Sequence, residues 1–168
     1  MVAKLVQTAN PRQTIVVACR GIATVFGKIN QLDELYPTEW HTPVSNAQKL
    51  YTLSLPKNHH VTQIIENSKV FSINFISFDN KDSIIRVRAH LGEIINKFLL
   101  AGFTSIECEK IDCPRIQESC GFFECEVQNQ IEAGDHVIFV GKVINSRVDN
   151  SAKRLFHISG DEYTTTIR

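Results

Sequence analysis

The residues best suited to chemistry fall in two short stretches. In residues 54–62, SLPKNHHVT, an apolar strand stops, the chain turns through Pro56 and a helix begins. The first amides of a helix have no intrahelical partners and lie at the positive end of its dipole, so such a start is a natural seat for a phosphate. Ser54 and Thr62 add hydroxyls there, and Lys57 and His60 add positive or potentially positive charge. An ordinary capped surface helix accounts for the same residues. In residues 39–45, EWHTPVS, the only Trp of the chain stands among His, Thr, Pro and Ser. Thr42, Ser45 and the amides of an irregular loop can hydrogen-bond the edge of a polar ring. Trp40 packs on an aromatic ligand, covers it, or anchors the loop to the core. One strand, KLYTLSL, joins the two stretches, so a ligand with an aromatic ring system at one end and a phosphate at the other would span both. Flavin mononucleotide (FMN) has that shape.

Other chemistry is weaker. Cys108, Cys113, Cys120 and Cys125 lie close in sequence, with Cys19 apart from them. A zinc site is the sharp reading, but no CxxC pair is present, and small buried or half-exposed thiols explain the same residues. The odd count argues against a full disulfide framework. His41, His59, His60 and His90 offer axial ligands for a haem, although solvated histidines are the commoner case. No GxGxxG run marks a dedicated dinucleotide fold.

The elements that must position these residues read mostly as strands. QTIVVACRG is a buried strand ending in a Gly turn, with IATVF as its hairpin partner. Residues 27–48 lack a clear period and contain Gly27, Pro37 and Pro43, which predicts an extended loop. KLYTLSL alternates, with Tyr51, Leu53 and Leu55 on its apolar face. PKNHHVTQIIENS predicts a short helix capped by Asn58, with Val61, Ile64 and Ile65 as its stripe. KVFSINFIS is a further strand. SIIRVRAHLGEIINKFLLAG is helical, interrupted near Gly92 and ended by Gly102. GFFECEVQNQIEAGDHVIFVGKVINSRVD is a hairpin turning at EAGDH, and RLFHISGDEY a closing strand. Many strands with few helices predict one domain over residues 1–168, a closed antiparallel barrel.

The bulk properties set the class. The 168 residues are 43% hydrophobic and 21% charged, with a formal net charge of zero. That balance lacks the basic excess of a nucleic-acid binder and does nothing to keep copies apart. MVAKLVQTANP is too short and polar for a signal peptide, and no run approaches about 20 apolar residues, so the expectation is a cytoplasmic protein with no membrane span.

The run EWHTPVSNAQKLYTLSLPKNHHVTQIIENSKVFSINFIS resembles the signature of the flavin reductase-like, FMN-binding split-barrel family, which includes flavoredoxins. The matching residues are Trp40, Thr42, Pro43, Val44 and Ser45, then Ser54, His60 and Thr62, then Phe71 and Asn74. Lys97 and Phe98 in INKFLLAGF, Cys120 and Cys125 in PRIQESCGFFECEV, the segment GDHVIFVGKV and the closing LFHISGDEY are similar to later family motifs. The resemblance runs from about residue 11 to residue 163. It implies a mainly β fold, a six-stranded antiparallel split barrel of Greek-key topology with a few short helices. It also implies a homodimer with FMN near the subunit interface. Carried onto this chain, Glu39, Trp40, His41, Thr42, Pro43 and Ser45 hold the ring and ribityl chain, while Ser54, Leu55, Lys57, His60 and Thr62 surround the phosphate.

Three departures stand out. Glu39 replaces a common Ser, residues 27–36 form a longer loop, and His60 replaces Arg or Lys. If His60 touches the phosphate, FMN affinity falls between about pH 6 and 8. The function implied is transfer of electrons from NADH or NADPH through FMN to a flavin, metal or protein acceptor, by an NAD(P)H-dependent flavin oxidoreductase. The alternative is an FMN-binding electron carrier without its own NAD(P)H turnover. Neither requires a catalytic side chain or a metal ligand.

Overall fold

The computed structural model describes residues 8–167. Most of the stretch read for a signal peptide, residues 1–7, lies outside the described residues. The strands are β1 (Arg12–Gln13), β2 (Ile15–Val25), β3 (Lys28–Thr38), β4 (His41–Ser45), β5 (Leu50–Pro56), β6 (Val70–Phe75), β7 (Ser105–Glu107), β8 (Pro114–Ile116), β9 (Gly121–Ala133), β10 (His136–Val148), β11 (Phe156–Ser159) and β12 (Glu162–Thr164). The helices are α1 (His60–Ser68), α2 (Lys81–Arg88) and α3 (Lys97–Ala101), with a 3-10 turn at Phe78–Asn80 before α2. The fold is mainly β. Its main sheet has seven strands in the order β3-β2-β6-β9-β10-β5-β4, and its ladders are antiparallel. The barrel expected from sequence has six strands; here seven are joined, and among the described residues no ladder pairs the end strands β3 and β4.

The continuous apolar run IVVAC makes β2 the hinge of the architecture, because both of its faces are buried. Ile15, Val17 and Cys19 enter a core with Leu53, Leu55, Phe71, Ile73 and Phe139, roofed by Val61, Ile64 and Ile65 of α1. Val16 and Ala18 enter a second core with Ile84 and Val87 of α2 and Phe98 and Ala101 of α3. Each fully buried Ile, Leu or Phe contributes about 1.5–3 kcal/mol relative to exposure, so these two clusters dominate the packing.

Three sequence expectations change. Gly21 is not a turn: β2 runs through it, and a Cβ there would stand 3.2 Å from Ile64 Cγ2, so glycine lets α1 lie close on the strand. The turn comes instead at Phe26 and Gly27, both with positive φ, as a two-residue hairpin requires. Residues expected as a loop form β3 and β4, with β3 in unbroken register against β2 from Ile15↔Thr38 to Val25↔Lys28. Pro37 and Pro43 are tolerated because both strands lie at the ends of the sheet order, where a missing N–H need not break a ladder. RLFHISGDEY is a hairpin, β11–β12, rather than one strand. The alternating β5, the β9–β10 hairpin and the break between α2 and α3 are as expected; Gly102 ends α3 in the left-handed conformation.

Candidate functional site

At Glu39 the chain leaves edge-strand β3 and crosses to edge-strand β4. Glu39 is buried. Its Oε1 accepts a 2.8 Å bond from the Thr14 hydroxyl and an ion-paired bond from Arg88, and His157 Nδ1 stands 4.0 Å from Oε2. Arg88 Nε and the Tyr163 hydroxyl are buried here without a hydrogen-bond partner among the described residues, and Arg88 lies 5.9 Å from the Tyr163 ring centre. The carboxylate expected to meet a ligand is thus spent on tying β3 to α2 and to the segment before β2.

Trp40 is half-buried and belongs to neither core cluster. Its indole stacks on the His136 imidazole at 4.5 Å and 15°. The Arg12 guanidinium stands 5.7 Å from the centre of the same ring. His136 Nδ1 is bonded to Asp135 at 2.7 Å, and Trp40 itself is fixed by N–H donation to Thr38 Oγ1 and by accepting the Ser54 N–H at 2.8 Å. This ring pair, 96 positions apart in sequence, is the feature that sequence reasoning missed; only the motif GDH pointed toward it.

His41 makes two bonds that settle its tautomer. Nε2–H donates to the Gln13 carbonyl at 2.8 Å, so Nδ1 accepts from the Tyr51 hydroxyl at 2.6 Å. Burial is the main reason its pKa lies below 6.5, so the ring is neutral at neutral pH. Burial also raises Tyr51 to about 12, which keeps that hydroxyl protonated. Thr42, Pro43 and Val44 are exposed and Ser45 half-buried on β4. As an edge strand β4 leaves one row of backbone groups unpaired by the sheet. A cleft of about 210 Å³ opens beside it, lined by Pro43, Ser45, Leu50, Tyr51 and Phe123.

The other half of the expected site is more self-contained. The N-cap of α1 is His59 rather than Asn58: its Nδ1 accepts the Val61 N–H at 3.2 Å, while Nε2–H donates to the Leu91 carbonyl at 2.8 Å. Burial foremost, then neighbouring His60, lowers the His59 pKa to about 4, so the cap is neutral and intact near pH 7. The Thr62 N–H bonds the His59 carbonyl, and the Thr62 hydroxyl donates to the Pro56 carbonyl at 2.8 Å. His60 points inward, with Nε2 2.6 Å from Glu34 Oε2; the second oxygen of Glu34 is 2.6 Å from the Lys97 ammonium. Lys57 turns to the β9–β10 hairpin, 2.7 Å from Glu132. The Leu55 side chain is wholly inside the core, so only its backbone could meet a ligand. The Ser54 hydroxyl has no hydrogen-bond partner among the described residues. A cleft of about 250 Å³ at this helix start is lined by Phe26, Asn58, His59, His60, Gln63 and Gly92.

The structure therefore brings Trp40, His41 and Ser54 together but does not gather Lys57, His60 and Thr62 into one open cradle. Two matched motif residues, Asn74 and Lys97, are structural. Asn74 is fully buried, donating to the Val16 carbonyl and accepting the Ile116 N–H. Among the described residues no group of three or more His, Cys, Asp or Glu side chains is placed to hold a metal ion, and no helix is long and apolar enough to cross a membrane.

Compared with known proteins, residues 9–166 match the model of the flavin reductase like domain. The chain belongs to that family. An uncharacterized protein of Archaeoglobus fulgidus is 23% identical over 82% of this chain and 93% of its own length. Two further archaeal relatives match in part, over 61% and 38% of this chain and 40% and 43% of their own lengths. Among solved structures, an FMN-binding protein from Thermus thermophilus with bound p-hydroxybenzaldehyde has a TM-score of 0.76 at 21% identity, over 94% of this chain and 87% of that one. The NADH:FAD oxidoreductase SgcE6 of Streptomyces globisporus C-1027 has a TM-score of 0.80 at 17% identity, over 99% and 92%. These two similarities carry the family's fold across the whole described chain.

Proposed function

We propose that this flavin reductase-like protein binds FMN and passes electrons from NADH or NADPH through it to a flavin, metal or protein acceptor. The observation that carries the reading is the exposed edge strand β4 beside the stacked Trp40–His136 pair, in a chain of this family. FMN supplies, when bound, a ring system that accepts hydride and releases electrons singly or in pairs. The residues at the ring end fit it: edge-strand backbone groups offer hydrogen bonds, Trp40 offers an aromatic face, and neutral His41 holds Tyr51 without adding charge. At the phosphate end Ser54 offers an open hydroxyl and Lys57 a cation held, among the described residues, by a surface ion pair, which costs little to exchange. His60 and Thr62 act behind them, shaping the turn from which α1 starts. In the same reading residues 1–168 are one domain, six of the strands wrap into a Greek-key split barrel, and two copies pair as a cytoplasmic homodimer.

The test is a visible spectrum of the purified chain, loaded with FMN, desalted and then given NADH or NADPH without oxygen. Retained colour that bleaches is the expected result, and the faster nucleotide names the donor. Retained colour that both nucleotides leave untouched would replace this reading with that of a carrier reduced by a separate protein. A colourless desalted protein that also fails to bleach added FMN would overturn it.

A further inference from the structure

We propose that Cys108 and Cys113 are a redox-active dithiol, which peroxide closes to a disulfide through attack on Cys108. The proposal is independent of the flavin reading, since it rests on another part of the fold. In the β7–β8 hairpin the last ladder pair is Glu107↔Pro114, so Cys108 and Cys113 stand opposite each other at the next position. The Cys108 N–H donates to the Cys113 carbonyl at 3.0 Å, which continues that register. Facing residues of an antiparallel pair have Cα atoms about 4.5–5.5 Å apart, inside the about 4.4–6.8 Å range that a disulfide spans.

The two thiols differ in access. Cys108 is half-buried and Cys113 completely buried, and both are reduced. The Cys113 sulfur is held by the Ala18 and Pro114 carbonyls at 3.2 and 3.4 Å. Burial foremost, then the neighbouring Cys108 side chain, pushes the Cys113 thiol well above its ordinary range. An oxidant from solvent therefore reaches Cys108 first and finds a resolving thiol already beside it. The hairpin is also tied to β2 on both sides of its turn: Glu107 of β7 and Asp112 of the connecting loop bind Arg20 at 2.8 and 3.0 Å.

The chemistry balances in two steps. Cys108 attacks hydrogen peroxide; its S–H and the O–O bond break, an S–O bond forms, and water leaves. Cys113 then attacks the sulfenic sulfur; the S–S bond forms, the S–O bond breaks, and the departing hydroxide takes the Cys113 proton as a second water. The pair gives up two electrons and peroxide accepts them. An added dithiol reverses the change.

The experiment treats the reduced full chain with stoichiometric hydrogen peroxide, alkylates what remains free, and maps the peptides by mass spectrometry. We expect a loss of about 2 Da, two fewer alkylated cysteines, a Cys108–Cys113 link, and full reversal by dithiothreitol. Cys113→Ser should stop at a Cys108 sulfenic acid that dimedone traps, while Cys125→Ser should still form the link. Wild-type protein that keeps Cys108 unlinked, or links it to Cys125 instead, overturns the proposal without recourse to any variant.

Discussion

Replacing Glu34 by Gln removes one charge and no volume from the most deeply buried ionic group of the protein. Glu34 is 2% exposed, Lys97 0% and His60 6%. One carboxylate oxygen receives the Lys97 ammonium at 2.6 Å and the Leu35 N–H at 3.0 Å; the other receives His60 Nε2 at 2.6 Å. Lys97 has one further acceptor, the Glu93 carbonyl at 2.9 Å. With Gln at 34 the ammonium stays buried with no counter-charge, and removing one partner of such a pair costs about 3–5 kcal/mol. For a chain of this size each kcal/mol lowers Tm by about 2–4 °C, so the expected drop is about 6–20 °C. Urea unfolding followed by circular dichroism at neutral pH should show a lower midpoint with an unchanged slope. Lys97→Met should cost less, because the carboxylate keeps His60 and the Leu35 N–H. The double change Glu34→Leu with Lys97→Met should recover much of the loss, since an apolar replacement of a buried pair is often neutral. A cost below about 1 kcal/mol for Glu34→Gln, or strict additivity in the double variant, would refute the coupling.

Other perturbations separate the cap, the ring end and the phosphate end. His59 titrates near 4 in the folded chain against 6.5 as its ordinary value, so folding excludes that proton. Its contribution to stability is therefore whole above about pH 6.5 and drains away as pH falls toward about 4; His59→Asn, which keeps a cap acceptor, should flatten the urea midpoint over that range, and an unchanged pH slope would contradict the assignment. Trp40 is the only Trp, so FMN bound beside it should quench most of the protein's emission, and His136→Ala should change the unliganded emission while leaving the far-ultraviolet spectrum intact. Ser54→Ala and Lys57→Ala should each weaken FMN binding about 10-fold or more, the loss of a hydrogen bond to a charged group, with little change in Tm. Thr62→Val should instead lower stability by about 1–3 kcal/mol, because the Pro56 carbonyl loses its donor; equal stability with weaker FMN binding would move Thr62 into direct contact with the phosphate.

The placement of His60 also redirects a pH expectation. With Nε2 committed to Glu34 at 2.6 Å, the residue that replaces Arg or Lys lies in a buried ionic group, so a pH-dependent FMN affinity through His60 would require that bond to open. Glu39 shows the same pattern: a carboxylate expected from sequence among the ring-holding residues is neutralised by Arg88 and bonded by Thr14. Both side chains are held by partners within the fold.

Local patterns were legible because neighbours along the chain carry them. The alternation of Tyr51, Leu53 and Leu55, the EAGDH turn between two long strands, the left-handed stop at Gly102 and the ordered family motifs all announce themselves within a few residues. From these alone the mainly β fold, the family, and the loop around Trp40 as the place to look could be argued. What the tertiary structure decided are the pairings between distant residues. β3 is a strand because β2 supplies its partner and an end position excuses Pro37; its own polar, irregular sequence has no period to detect. The Trp40–His136 stack, the Glu34–Lys97–His60 group and the Glu39–Arg88 pair each join elements far apart in the chain. A charge looks the same in sequence whether it faces water or a buried counter-charge, and only the packing of β2 between two cores determines which.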